Sequence, residues 1–438
     1  MNRSHSRSPV TWLVILSLFN HVGYTGTRFV ALLSVLALSD SSFLAGALLA
    51  TLSLVPMLTS LPLGRWIDRH HKAGPMRVGA AMTALGCFLP IVFQDVVALF
   101  ISVALVGTGY NVHQIALQST MGRAASDLAQ RTRLFTWLSL CVSTSMVLSP
   151  LISGFGIEHG GYRVAQAIVL IGPLLTLALL WHRRAELAVE PALAASPRPA
   201  PAKASRLAAP IPLITPDGAG WFVRWTSGWR QKRRLRRANR APSSIGLLRE
   251  APVRQVLLAS VAVSLAFDMH TFAVPLLGHS MALGAAEIGT IIAFFSAGTF
   301  AVRVAMPWLV RQVRGWTIVH GAMLTCAAGY YLYPWAPDTA VMCALSFVIG
   351  MALGSCQPNV LALLHEVVPH HRSGEAIALR VMFSYVSGFL LPLAFGALAT
   401  RLGVAPLFFA IATNLVLSWW LSRRPIARKP SADDALHD

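Results

Sequence analysis

The chain has 438 residues, of which 55% are hydrophobic and only 12% charged, with a mean hydropathy of +0.60. A soluble domain carries roughly 25% charged residues, so this composition excludes an ordinary soluble fold and points to a chain that uses the bilayer as its solvent. The formal net charge of +19 would suit a nucleic-acid partner, but the positions of the basic residues assign it to a membrane surface.

Apolar runs long enough to cross a hydrocarbon core of roughly 30 Å predict helices over 11–36, 43–63, 76–93, 96–119, 134–156 and 164–182, then 254–278, 286–307, 317–334, 339–364, 376–399 and 405–421. Arg3 and Arg7 ahead of the first run imitate a secretory signal. Asn20, His21 and Arg28 interrupt that run and no small-residue cleavage site follows, so it reads as a retained first helix. The expected fold class is an all-α integral membrane protein with twelve transmembrane helices. Its expected parts are a six-helix bundle over 1–184, a basic linker over 185–250, a second six-helix bundle over 251–424 and a tail over 425–438.

With the N-terminus inside, Arg28 lies within the first helix, only Arg163 and Arg401 fall outside, and the other Lys and Arg residues face the cytoplasm. Cationic loops resist translocation, which predicts a multi-pass protein of the cell inner membrane with both termini cytoplasmic. In the linker, Trp221, Trp225 and Trp229 recur at steps of four ahead of the run Lys232 to Arg237. A basic, tryptophan-faced segment suits the headgroups of an anionic inner leaflet rather than nucleic acid. The five cysteines sit in apolar runs without metal-site spacing and read as small core residues.

The halves match when slid along each other. At an offset of 243, Gly46 meets Gly289, Gly107 meets Gly350 and Gln114 meets Gln357; at 242, Pro150 meets Pro392, Gly154 meets Gly396 and Gly161 meets Gly403. Ordered coincidences at a nearly constant offset indicate a duplicated unit. An even number of helices per unit gives both halves the same orientation about an axis along the membrane normal.

Polar groups inside a bilayer are costly and turn toward a bundle interior or a wet cavity. They concentrate on the first and fourth helices of each half. Asn20, His21, Tyr24, Thr25 and Arg28 lie on helix 1, Asn111, His113, Gln114 and Gln118 on helix 4, Asp268 and His270 on helix 7, and Ser355, Gln357 and Asn359 on helix 10. Steps of three, four and seven align His21, Tyr24 or Thr25 and Arg28 as a stripe, and Asn111, Gln114 and Gln118 as another. Asp268 is the one carboxylate near the middle of an apolar helix, and the offset puts it level with Thr25, within a turn of Arg28. An Asp268–Arg28 pair that solute or proton can break is therefore expected, with His21 and His270 as further relay candidates.

After helix 2 the chain reads Leu61-Pro-Leu-Gly64-Arg65-Trp-Ile-Asp68-Arg69-His-His-Lys72. This resembles the loop signature of the major facilitator superfamily, Gly-x-x-x-Asp-Arg-x-Gly-Arg/Lys, with His71 in place of the second glycine. The second-half counterpart, from Arg303 through Pro307 to Arg314, keeps the basic charge and lacks the acid. Helix 5 carries Ser145, Ser149, Pro150, Ser153 and Gly154, similar to that family's Gly-Pro antiporter motif with serines at two glycine positions. The resemblance implies a transporter that alternates between inward-open and outward-open states. It implies a gate formed by Gly64, Asp68, Arg69, Lys72 and Arg303, and a hinge at Ser149, Pro150 and Gly154. The family's helix-4 arginine has no equivalent between Phe100 and Val106.

No nucleophile–base set, P-loop or metal spacing is present, so neither catalysis nor a cofactor is expected, the coupling ion being a proton. The leading expectation is a monomer that exports a small organic solute in exchange for protons. Uptake of an organic anion held by Arg28, and a membrane receptor or scaffold that docks a partner on its basic loop, stand as alternatives.

Overall fold

The structure, a computed structural model, describes residues 11–69, 74–124, 128–183, 247, 248, 250–368 and 372–423. Every long element among them is a helix. The first half contains α1 (Thr11–Ser39), α2 (Ser42–Arg69), α3 (Gly74–Val92), α4 (Val96–Ala124) and the stretch Leu128–His182. That stretch turns back at Gly161 (φ 76°, ψ 179°) into α5 (128–160) and α6 (162–182), so that Gly26 of α1 lies against both Ser149 and Val169. The second half contains α7 (Ala251–Ser280), α8 (Ala285–Gln312), α9 (Gly315–Leu332), α10 (Thr339–Val367), α11 (Ser373–Leu402) and α12 (Ala405–Ser422).

Among the described residues, ten stretches are long and apolar enough to cross a membrane. The folded-back stretch of 50 residues from Arg133 to His182 is one of them and holds two crossings. The helix below that apolarity is α9, 18 residues carrying Trp316, His320 and Tyr330, which packs against α10 and α12. The helices expected from apolar runs are all found. Those ending in charge, such as α2 and α8, continue past the apolar segment because helix geometry costs straight-chain residues little. Most of the linker, with Trp221, Trp225 and Trp229, lies outside the described residues, as does the tail beyond Arg423.

The start of α1 and the end of α12 lie on one face, here termed the terminal face. Trp12 and Trp419 sit at helix ends there, with the guanidinium of Arg183 5.5 Å from the Trp12 ring and that of Arg423 4.9 Å from the Trp419 ring. Amphipathic rings occupy such positions at a membrane–water boundary. Toward the far face one apolar core joins the halves, including Phe29 to Leu36 of α1 and Phe272 to Leu277 of α7. Toward the terminal face the first half has a separate core around Leu13, Leu16, Met76, Leu117 and Leu138.

The duplication is visible in the backbone. Gly403 adopts φ 81° and ψ −178° between α11 and α12, matching Gly161 between α5 and α6. Asp40 (φ 47°) and Ala282 (φ 57°) share the left-handed conformation in the turns after α1 and α7. The glycine pair lies in a region that side chains with a Cβ scarcely enter. Gly161→Ala and Gly403→Ala are therefore expected to destabilise by about 1–3 kcal/mol each, although neither added methyl would meet a neighbour. Gly321→Ala, equally uncrowded but inside α9, should instead stabilise by about 0.5–1 kcal/mol. Thermal unfolding in detergent distinguishes these outcomes, and equal effects at all three positions would count against backbone strain.

Candidate functional site

The halves meet along two crossings, α2 with α11 and α5 with α8. A Cβ added at Gly46 would collide with the Pro392 carbonyl oxygen and lie 3.2 Å from the Gly396 Cα. One added at Gly289 would collide with the Pro150 carbonyl oxygen and lie 3.3 Å from the Gly154 Cα. Both crossings sit toward the far face, where His279 of α7 pairs with Asp40 at 3.2 Å. There Glu158 of α5 also accepts from the Ala286 amide of α8 at 3.0 Å, a carboxylate well placed at a helix N-terminus.

Between the crossings and the terminal face, polar side chains from both halves converge. On α1, His21 contacts the Ser145 hydroxyl of α5, and its ring centroid lies 5.8 Å from that of Tyr24 and 5.2 Å from that of Tyr110. Tyr24 and Tyr110 stack at 4.4 Å, and Tyr385 of α11 comes within electrostatic reach of both. A turn further along α1, Arg28 Nη2 donates to Thr271 Oγ1 of α7 at 2.7 Å, while its Nε is buried without a partner. From α8, Arg303 donates to Ser143 of α5, to Ser139 at 3.4 Å and to Gln357 of α10 at 3.5 Å.

The expected contact between Arg28 and Asp268 takes a different form. The two lie within electrostatic reach, but among the described residues Arg28 forms no ion pair; its partner is Thr271, whose hydroxyl in turn donates to the Asp268 carbonyl at 2.9 Å. The α1 stripe holds for His21, Tyr24 and Arg28, whereas Thr25 spends its hydroxyl on the His21 carbonyl at 2.8 Å. On α4, Asn111 and Gln114 are half-buried and Gln118 is exposed, the Gln114 Oε1 being buried and unpartnered.

Several expected residues are turned elsewhere. His113 is fully buried against α3, with Nδ1 3.1 Å from the Met76 carbonyl oxygen. Asn20 is fully buried with neither amide atom partnered. His270 is enclosed within the second half by Phe295 at 4.1 Å, Tyr330 at 5.8 Å and Tyr333 at 5.7 Å. Ser355 donates to its own helix, and Asn359 Nδ2 reaches the Ser355 carbonyl oxygen and the Met306 sulfur. These three face into their bundle because helical spacing alone does not say which side of a helix meets the passage. Ser149 donates to the Val22 carbonyl at 3.0 Å, beside the Pro150–Gly154 crossing. Of the loop residues, Gly64, Asp68 and Arg69 lie in the last turns of α2 with their side chains outside the described set, and Lys72 lies outside it altogether.

Sequence reasoning missed Tyr110, Ser143, Thr271, Arg380 and Tyr385, and placed Arg303 at the loop after α8. Arg380 donates to Ser260 of α7 at 2.9 Å. Arg303 and Arg380 both lie inside predicted apolar runs, which was the available signal. Among the described residues no three His, Cys, Asp or Glu side chains gather as metal ligands would.

If the glycine crossings seal the far face, Gly46→Val and Gly289→Val should each open it. A reporter cysteine at Ser53, which abuts Gly388 of α11, should then be labelled several-fold faster by an impermeant thiol reagent applied from that face. Unchanged labelling would place the seal elsewhere.

Comparison with known proteins bears on the whole chain. The profile of the Major Facilitator Superfamily matches residues 13–390 and 256–436. No curated protein matches the chain in sequence. Among solved structures, a bacterial homolog of the human lysosomal transporter Spinster, inward-facing and occupied, superposes with a TM-score of 0.69 at 13% identity, covering 96% of this chain and 98% of the other. A D-xylose–proton symporter gives 0.69 at 13% identity, with coverage of 96% and 98%. The peptide transporter POT in complex with sulfate gives 0.70 at 14% identity, with coverage of 96% and 95%. At these identities the likeness is one of fold.

Proposed function

The chain belongs to the major facilitator superfamily and is a transporter rather than an enzyme, and on that premise we propose that it carries a small organic solute across the cell inner membrane by proton-coupled alternating access. The observation that carries this reading is the convergence of His21, Tyr24, Arg28, Tyr110, Thr271, Arg303 and Gln357 from five helices of both halves onto one passage. Lipid would penalise such groups; a solute that replaces their hydrogen bonds would not. The close glycine crossings lie toward the far face, which supports the terminal face as the side from which solute enters this state. The excess of Lys and Arg on that face, and its tryptophans, support a cytoplasmic location for it. The whole passage lies within one chain, so a monomer suffices.

Coupling is assigned to Asp268. It faces Arg28 and Tyr24 across the passage, and its charge state sets how firmly Arg28 is held on the α7 side. Protonation frees Arg28 for solute, and release of the proton on the other side returns it. Proton and solute bound together travel the same way, so this coupling runs as symport and favours uptake, although the Pro150–Gly154 crossing is similar to an antiporter hinge. Uptake with protons has a specific observation in its favour too, the arginines that line the passage, and a proton symporter shares the fold.

Purified protein in proteoliposomes should accumulate or release solute in response to an imposed pH gradient, and Asp268→Asn should remove that response while leaving gradient-driven exchange measurable. Flux that follows the pH gradient equally in Asp268→Asn would exclude the carboxylate as the coupling group. Deleting residues 190–240 tests the basic linker separately: retained flux is expected, since every passage residue named above lies elsewhere.

A further inference from the structure

Among the described residues the proposed passage holds more positive charge than its carboxylates neutralise. Arg380 of α11, Arg303 of α8 and Arg28 of α1 lie about 10, 14 and 26 Å along their helices from the ends at the terminal face, at roughly 1.5 Å rise per residue. They form a ladder from the terminal face toward the middle of the bundle. Each is held by neutral partners: Arg380 by Ser260, Arg303 by Ser139, Ser143 and Gln357, and Arg28 by Thr271. Among the described residues none of the three makes an ion pair. The one carboxylate mid-way along these helices among the described residues, Asp268, comes within electrostatic reach of Arg28 and cannot balance three cations.

Buried cations persist when something pairs with them. A structural role alone would be served by a nearby carboxylate, as Glu375 serves Arg372 at 2.9 Å at the start of α11. Here hydroxyls and an amide hold the guanidinium groups in place without neutralising them, which leaves their charge available to a visitor. The Nε of Arg28, buried and unpartnered, leaves one donor of the guanidinium fork unused, the geometry that recognises a carboxylate through two parallel bonds. Beside it stands an aromatic shelf, Tyr24 stacked on Tyr110 with His21 at its edge and Tyr385 nearby.

Resting on the transporter reading above, we infer that the solute is a flat organic anion, an aromatic carboxylate in its simplest form. Its charged group would be handed from Arg380 to Arg303 to Arg28 while its ring lies on the Tyr24–Tyr110 shelf. Thr271 is then the neutral placeholder that the carboxylate displaces.

The test uses the full-length protein in nanodiscs, with binding followed by thermal shift and calorimetry at constant chloride. Four probes separate charge from shape: benzoate, benzyl alcohol, benzylamine and acetate. Saturable binding of benzoate is expected, weaker binding of acetate, and none of benzyl alcohol or benzylamine. Arg28→Gln should weaken benzoate by about tenfold or more, and Arg28→Lys, which keeps the charge without the fork, should weaken it less. The unfolding temperature of each variant without probe shows whether it has folded. Binding of benzylamine or benzyl alcohol in preference to benzoate, or no binding of either anion, overturns the inference. Flux of the same probes in proteoliposomes keeps the two readings apart. Transport of neutral or cationic probes alone removes the anion assignment and leaves the transporter, whereas no transport of any solute removes the reading on which it rests.

Discussion

The structure depends on two places where backbone touches backbone across the halves. Helices in lipid gain little from hiding apolar surface, since the solvent is itself apolar, so adhesion between bundles must come from close approach. Gly46 against Pro392 and Gly396, and Gly289 against Pro150 and Gly154, supply that approach. The flanking contacts repeat as well: Gly396 lies against Ser42 and Phe43, and Gly154 against Ala285 and Ala286, the equivalent positions. Within each half Gly107 meets Leu52 as Gly350 meets Phe295. One rotation relates the halves closely enough to preserve individual carbonyl contacts. In the alternating access proposed above, both crossings would then move together, with each half moving as a rigid body.

This symmetric frame encloses an unsymmetric interior. At equivalent positions, Cys87 lies 3.7 Å from the Gly23 carbonyl and Tyr330 donates to the Ala266 carbonyl at 2.8 Å. The first half continues there with a polar chain, Gln166 to Thr27 at 2.8 Å and Thr27 to Cys87 at 3.1 Å. The second half has rings instead, His270 on Phe295 and Tyr330 near Phe408. The charged residues of the passage depart from the repeat entirely. By the 243-residue offset Asp268 answers to Thr25, Arg303 to Ser60 and Arg28 to Thr271. Residues that hold the frame occur in both copies, and the charged residues of the proposed passage occur in one, while Gln114 and Gln357 are shared.

That division explains what could be read before the fold was known. The helices were legible because a bilayer demands about twenty apolar residues per crossing, and the crossings were legible as Gly and Pro coincidences between halves. Asp268 and Arg28 stood out because charge is rare in such helices. Arg303 and Arg380 did not: each lies near a helix end, where a basic residue is also explained by topology, and only the packing of α5 and α7 against them shows that they turn inward. Tyr110 and Tyr385 were hidden for the opposite reason, since tyrosine in an apolar run is compatible with lipid, core or cavity. His113, His270 and Asn359 show the limit of counting polar residues per helix, because a buried bundle interior satisfies the same pattern as a passage.

The position of one hydrogen bond follows from the duplication itself. Residues related by a two-fold axis lie at equal distances from it on opposite sides, so two equivalent residues in direct contact must straddle the axis. Arg28 and Thr271 are separated by the 243 positions that relate Gly46 to Gly289 and Gly107 to Gly350, and they are 2.7 Å apart. Their bond therefore lies at the two-fold axis between the halves, which runs along the membrane normal. A cation held there by a hydroxyl from the other half joins the two halves directly. In the alternating-access mechanism proposed above, a solute that takes the place of Thr271 would sit between the halves, within reach of both.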